Sequence, residues 1–222
     1  MRFWLAALVA VALAACVSVN ALPRQAGTWL EAAVRLQGEA GHGSGIVVGP
    51  NLILTARHVS AHDETMNAVF YDGTTRKITV IWEDEAQDIA LLSFDGPAHG
   101  TALPVSCAPV SWGQTFWWIG QPNVAEWIMR SGYVALVEPE KMVEVPSPTV
   151  LVVGEFVGGD SGSGLISEDG SVIGVATVSM TDILGGSPFA PDRTRTMIGG
   201  MSPTATVCGA LRAQTAAIRF DA

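Results

Sequence analysis

Lysine is almost missing from this chain. Lys77 and Lys141 stand alone among 222 residues, and acidic side chains outnumber basic ones 21 to 12. The net charge of -9 excludes a general nucleic-acid binder, which needs a basic face to neutralise phosphates. It also excludes attachment to anionic lipid by charge alone. Charge of either sign is scarce at 15%, whereas 49% of the residues are hydrophobic, a balance that excludes intrinsic disorder. Cysteine is limited to Cys16, Cys107 and Cys208, none placed beside a histidine as a metal site or thiol nucleophile would require. His42, His62 and His99 likewise lack metal-ligand spacing. No solenoid repeat and no low-complexity tract is present. What remains is a globular chain of one domain, or of two small ones packed together.

Part of the apolar excess lies outside that fold. Residues 1–15, MRFWLAALVAVALAA, carry one charge at Arg2 and then an unbroken apolar run, the pattern of an export signal. The run from Phe3 to Val19 is marginal against the roughly 20 residues that span a bilayer. Leu13-Ala14-Ala15-Cys16 resembles the lipobox of bacterial lipoproteins, in which cleavage leaves the cysteine as a lipid-bearing N-terminus. The expectation is a signal peptide over 1–15 with Cys16 as the mature, lipidated N-terminus. The protein is then exported, either anchored facing the periplasm or cell exterior, or else secreted. An ordinary signal peptide or signal anchor with an incidental cysteine is the alternative. Export would leave Cys107 and Cys208 in an oxidising compartment, where they form either the one possible disulfide or two buried free thiols.

From residue 24 onward the chain shows short apolar runs bounded by Gly, Pro, Asn and Asp. Strands are expected over 32–36, 45–48, 52–55, 67–71, 77–82, 89–94, 115–119, 127–137, 149–153, 164–167 and 172–179. Most are four to eight residues long and rich in Val and Ile, with turn signals such as Gly49-Pro50-Asn51 and Asp72-Gly73 between them. Repeated strands without intervening helical patterns point to an all-β sandwich or barrel and away from βαβ units. One helix is expected near the end, capped by Ser202 with Pro203 in its first turn.

Three segments within this β-rich chain carry chemistry. Gly43-Ser44-Gly45 precedes Thr55-Ala56-Arg57-His58, which sets a histidine just after an apolar strand. Asp88 stands immediately before the apolar run Ile89-Ala90-Leu91-Leu92. Ser161 lies in Gly158-Gly159-Asp160-Ser161-Gly162-Ser163-Gly164. Alone, each reads as an edge residue, a strand-end acid or a surface loop. Together they change meaning, because a serine hydroxyl needs a base to take its proton and a histidine base needs an acid to orient it. The order His, Asp, Ser is that of the chymotrypsin-like triad, and the serine-first order of α/β-hydrolases is not met. Their Gly-x-Ser-x-Gly elbow also fails, since Ser163 occupies the final glycine position.

From about Ala32 to Ser179 the chain thus resembles trypsin-like, chymotrypsin-fold serine peptidases, particularly the shorter bacterial secreted ones. The resemblance implies an all-β fold of two antiparallel six-stranded barrels, approximately 28–105 and 110–200, within a peptidase domain over 24–222. It implies a serine endopeptidase acting on polypeptides without metal or cofactor. His58 would be the base, Asp88 its orienting acid, Ser161 the nucleophile, and the N–H groups of Gly159 and Ser161 the oxyanion hole. The residue six before the nucleophile, here Glu155, would lie at the base of the primary pocket and favour Arg or Lys by charge pairing. Arg57 and Ser163 depart from the small residue and the glycine common at those positions. No Ile-Val-Gly-Gly-like activation site is present, so Asp160 needs a partner other than a new N-terminus. An arginine suits, but spacing does not say which. A catalytically silent binding protein of the same fold, or an esterase using the same triad, are the alternatives.

Overall fold

The computed structural model describes residues 23, 25–39, 41–61, 65–97, 101–122, 125–137, 150–179 and 198–221. The leader over 1–15 with Cys16, together with His62, His99 and Thr149, lies outside them. A short helix α1 (Ala26–Ala32) leads into β1 (Ala33–Gln37), β2 (His42–Gly49) and β3 (Leu52–Ala56). One helical turn, α2 (Arg57–Ser60), precedes β4 (Asn67–Phe70), β5 (Thr75–Asp84) and β6 (Ile89–Phe94). These six strands close into a barrel in the order β1-β2-β3-β6-β5-β4, sealed by antiparallel pairing of β1 with β4. Every residue of β3 is buried, as its unbroken Leu-Ile-Leu pattern dictates, and β6 aligns on it with Leu54 opposite Leu91.

A short strand β7 (Val105–Ser106) begins the second half, followed by β8 (Thr115–Gly120), β9 (Ile128–Leu136) and β10 (Val150–Val153). Then come β11 (Gly164–Ile166), β12 (Val172–Ser179), β13 (Ile198–Pro203), helix α3 (Thr204–Gln214) and β14 (Phe220–Asp221). The order β11-β8-β9-β10-β13-β12, with β11 also paired to β12, makes a second six-stranded ring, and β7 and β14 continue from β12 as parallel additions. The fold is therefore mostly β, two closed six-stranded antiparallel barrels of the chymotrypsin type with a C-terminal helix.

The cores explain how the barrels stay together. Phe116, Trp118, Val134, Val152, Leu165 and Met201 fill the second barrel. The larger cluster is centred on the first barrel but runs on through Ile119, Ile166, Val175 and Leu211, so apolar burial is continuous across the junction. Trp29 of α1 is completely buried and meets Trp117 of the second barrel at 5.7 Å between ring centroids. Cys107, after β7, is bonded to Cys208 of α3 across 101 residues of chain.

Three local expectations need correction. Ser202 does not cap the C-terminal helix. It lies in β13 opposite Val175, and Pro203 occupies the cap position before Thr204 without a side-chain capping bond. The strand β13 itself was not foreseen, because Gly199, Gly200, Ser202 and Pro203 read as loop; pairing on both sides, to β10 and β12, makes it a strand. Helix α1 was missed because seven residues have too little periodicity to register, and it holds by burying Trp29.

Candidate active site

The candidate residues come from both barrels. β3 ends at Ala56, and the turn of α2 carries His58 out of the first barrel with its side chain 43% exposed. Asp88 stands just ahead of β6, whose first residues pair with the end of β3, so the hydrogen-bond register delivers Asp88 beside His58. Asp88 Oδ2 accepts from His58 Nδ1 at 2.6 Å and Oδ1 accepts from the His58 backbone N–H at 2.9 Å. Its carbonyl takes the Arg57 N–H at 3.0 Å. These three bonds hold Asp88 at φ 49°, a left-handed conformation that costs a non-glycine residue free energy and persists where surroundings over-determine it. With the Asp88 carboxyl oxygen as acceptor Nδ1 is the donor, and in a neutral imidazole that arrangement leaves the lone pair on Nε2. Outside this contact, Arg57 pairs with Glu83 at 3.3 Å and Glu85 at 3.8 Å.

Ser161 sits between β10 and β11 of the second barrel, in a loop fastened to the first. The Ser44 N–H of β2 donates to the Ser161 carbonyl at 2.8 Å. At Gly43, the neighbour of Ser44, the Val59 side chain and the Ser161 carbonyl fill the space a Cβ would take. The residue following His58 and the serine thus flank one point. Gly162 adopts φ +86° and Gly159 φ +99°; a Cβ on the first would overlap Ser44 O and Thr55 Oγ1, and on the second Gln121 O. Only glycine fits either place. Among the described residues, the N–H groups of Gly159 and Ser161 have no backbone acceptor, whereas those of Asp160, Gly162 and Ser163 are bonded to Val157, Ala176 and Asp160. His42 Nε2 and Gln121 O are 2.9 Å apart beside Gly159.

Asp160 is buried, and its partner is Arg130 of β9. Arg130 Nη2 pairs with Asp160 Oδ1, while Nη1 donates to the Glu155 carbonyl at 2.5 Å. Asp160 Oδ2 accepts from the Val157 N–H at 2.8 Å. One guanidinium therefore ties both ends of the loop from 155 to 160. It lies 5.2 Å over the Trp118 ring, which stacks on Phe156 at 4.3 Å. Burial raises the Asp160 carboxyl above its ordinary value, opposed by the Val157 N–H and by Arg130. Glu155 is exposed, and the contact that ties it into the site runs through its carbonyl. Among the described residues no three His, Cys, Asp or Glu side chains are grouped to hold a metal.

Arg130 lies in no motif, and Ser44 and Thr55 stand within the histidine segment without a role that the motif assigns them. The demand for a cation beside Asp160 was visible, but ten arginines offered no choice among them without the pairing of β8 with β9.

The two-barrel fold with a histidine–aspartate pair and a glycine-rich serine loop defines a chymotrypsin-like architecture. The sequence model of the trypsin-like peptidase domain matches residues 43–175, and the chain belongs to that family. It is 31% identical over 146 residues to the mitochondrial serine protease HTRA2 of Bos taurus, a match covering 63% of this chain. The chain spans 32% of the length of that relative. Among solved structures it is similar to the serine endoprotease from Yersinia pestis, with TM-score 0.68 and 20% identity, over 89% of this chain and 68% of that one. It is also similar to Rv3671c from M. tuberculosis H37Rv in an inactive mutant form, with TM-score 0.67 and 20% identity, over 86% and 90% of the two chains.

Proposed function

We propose that the chain is a serine endopeptidase using Ser161 as nucleophile, His58 as general base and acid, and Asp88 as orienting acid. The observation that carries this reading is the double grip of Asp88 on His58, through the ring at 2.6 Å and the backbone N–H at 2.9 Å. A histidine so fixed presents Nε2 to accept the Ser161 proton as its oxygen attacks a peptide carbonyl, then returns the proton to the leaving amine. Negative charge developing on the carbonyl oxygen would be met by the N–H groups of Gly159 and Ser161. Each such donor is worth about 3 to 4 kcal/mol in the transition state. Glu155 is proposed to bias cleavage toward Arg or Lys.

The leader belongs to the same proposal. Residues 1–15 would be removed and Cys16 would bear lipid, with the domain facing the periplasm or cell exterior, or secreted if Cys16 is unmodified. Support comes from Leu13-Ala14-Ala15-Cys16 and from the Cys107–Cys208 bond, a linkage that persists in oxidising compartments.

Fluorophosphonate labelling followed by intact mass and a peptide library tests the whole. The expected result is one adduct on Ser161, lost in Ser161→Ala and His58→Ala, an N-terminus at Cys16, and peptide cleavage favoured after Arg and Lys. Folded protein without an adduct would indicate a binding module. Turnover of simple esters without peptides would indicate an esterase. Equal cleavage after Phe, Leu and Arg would remove Glu155 from specificity.

A further inference from the structure

We propose that Ser44 is a positioning residue that holds the serine loop in its working conformation from the opposite barrel; this rests on the serine-endopeptidase reading above. Ser44 belongs to β2 and is completely buried. Its hydroxyl donates to the Gly159 carbonyl at 2.7 Å and its N–H donates to the Ser161 carbonyl at 2.8 Å. Its own carbonyl accepts from Thr55 Oγ1, also fully buried, at 2.7 Å. Thr55 lies on β3, three residues before His58.

These bonds have a consequence that the glycine-rich motif alone does not carry. Gly159 and Ser161 are the two residues whose N–H groups face the developing oxyanion, and they bracket Asp160. A loop with Gly158, Gly159 and Gly162 is free to rotate its peptide planes, and the Gly159 N–H lies in the Gly158–Gly159 plane, which is hinged at the Gly159 Cα to the Gly159–Asp160 plane. The Ser44 hydroxyl fixes the second of these planes, because turning the Gly159 carbonyl away leaves the buried hydroxyl unpaired, and the Gly159 N–H then swings from a fixed pivot instead of from a second free hinge. Arg130 and Asp160 anchor the loop within the second barrel, while Ser44 references it to the first, where Thr55 holds the Ser44 carbonyl from the strand that delivers His58. Alanine at position 44 would keep the N–H bond to Ser161 and lose the grip on Gly159.

A hydroxyl that merely satisfied a buried carbonyl would affect stability alone, so the test separates turnover from folding. Wild type, Ser44→Ala, Ser44→Thr and Thr55→Val are assayed on one cleaved peptide, with sites counted by fluorophosphonate titration and unfolding followed by circular dichroism. Ser44→Ala is expected to lose about tenfold in kcat with KM within about twofold, as for a partly displaced oxyanion donor. Affinity for a peptide aldehyde should fall in parallel with kcat, while affinity for the product peptide stays unchanged. Ser44→Thr should restore most of the rate. Should Ser44→Ala fail to fold, Thr55→Val carries the same comparison, with a smaller loss confined to kcat and aldehyde affinity. Wild-type kcat per titrated site in the tested variant, or a change in KM alone, overturns the role of Ser44 and leaves the endopeptidase reading standing. A wild-type protein that neither labels nor cleaves overturns both.

Discussion

Asp160 is 2% exposed in its side chain and Arg130 17%, so their pairing takes place largely out of water. Removing one partner of such a pair leaves an uncompensated buried charge. Arg130→Met should therefore destabilise the fold by about 3–5 kcal/mol, measured by urea unfolding. The pH dependence distinguishes lost charge pairing from lost packing. Burial already holds the Asp160 carboxyl above its ordinary value, so its ionisation opposes folding once pH rises past the unfolded value of 3.8 and through the folded one. Arg130 lowers that folded value, and without it the value climbs further. The deficit of Arg130→Met relative to wild type should consequently be smallest at about pH 4 and grow toward pH 8. A deficit independent of pH would assign Arg130 a packing role over Trp118 and no electrostatic one. At this scale the sequence was half legible. The need of Asp160 for a cation followed from its place beside Ser161, but the identity of the cation depended on a strand pairing with no local signature.

The elements divide by how their burial is organised. β6 and β12 were legible to the residue, 89–94 and 172–179, because short segments rich in Val, Ile and Leu between turn signals leave little choice of boundary. β13 and α1 were not, since one is made of turn-forming residues and the other is too short to show a face. Both exist because a partner covers them. For α1 that cover is local to Trp29, whose indole is wholly buried against Trp117. Trp29→Ala should cost about 3–5 kcal/mol, as truncation of a large buried aromatic does, seen as a lower urea midpoint with unchanged slope. A midpoint within error of wild type would mean that the helix contributes no anchorage to the barrels.

Across the whole molecule, the disulfide closes a covalent loop between residues 101 positions apart. It joins the connection between the barrels to α3, which packs under β12 and β7. On the chain-entropy account a loop of this size stabilises by about 4–5 kcal/mol through the unfolded state. Thermal melts with and without reductant should differ by roughly 10 °C or more in a chain of this length. The Cys107→Ala/Cys208→Ala double variant should melt with the reduced protein and be indifferent to reductant; identical melting of oxidised and reduced wild type would show that the bridge contributes nothing. The sequence by itself determined the β class of the chain, the order in which histidine, aspartate and serine occur, and the glycines around the serine. Those are properties of composition and of segments a few residues long, where alternation and turn chemistry act directly. Only the tertiary structure decided that Arg130 holds Asp160, that Cys107 meets Cys208 and that Ser44 grips Gly159 across 115 residues of chain. Each of these is a contact between segments whose local patterns are independent of one another. Closure of two barrels against a shared core brings them together.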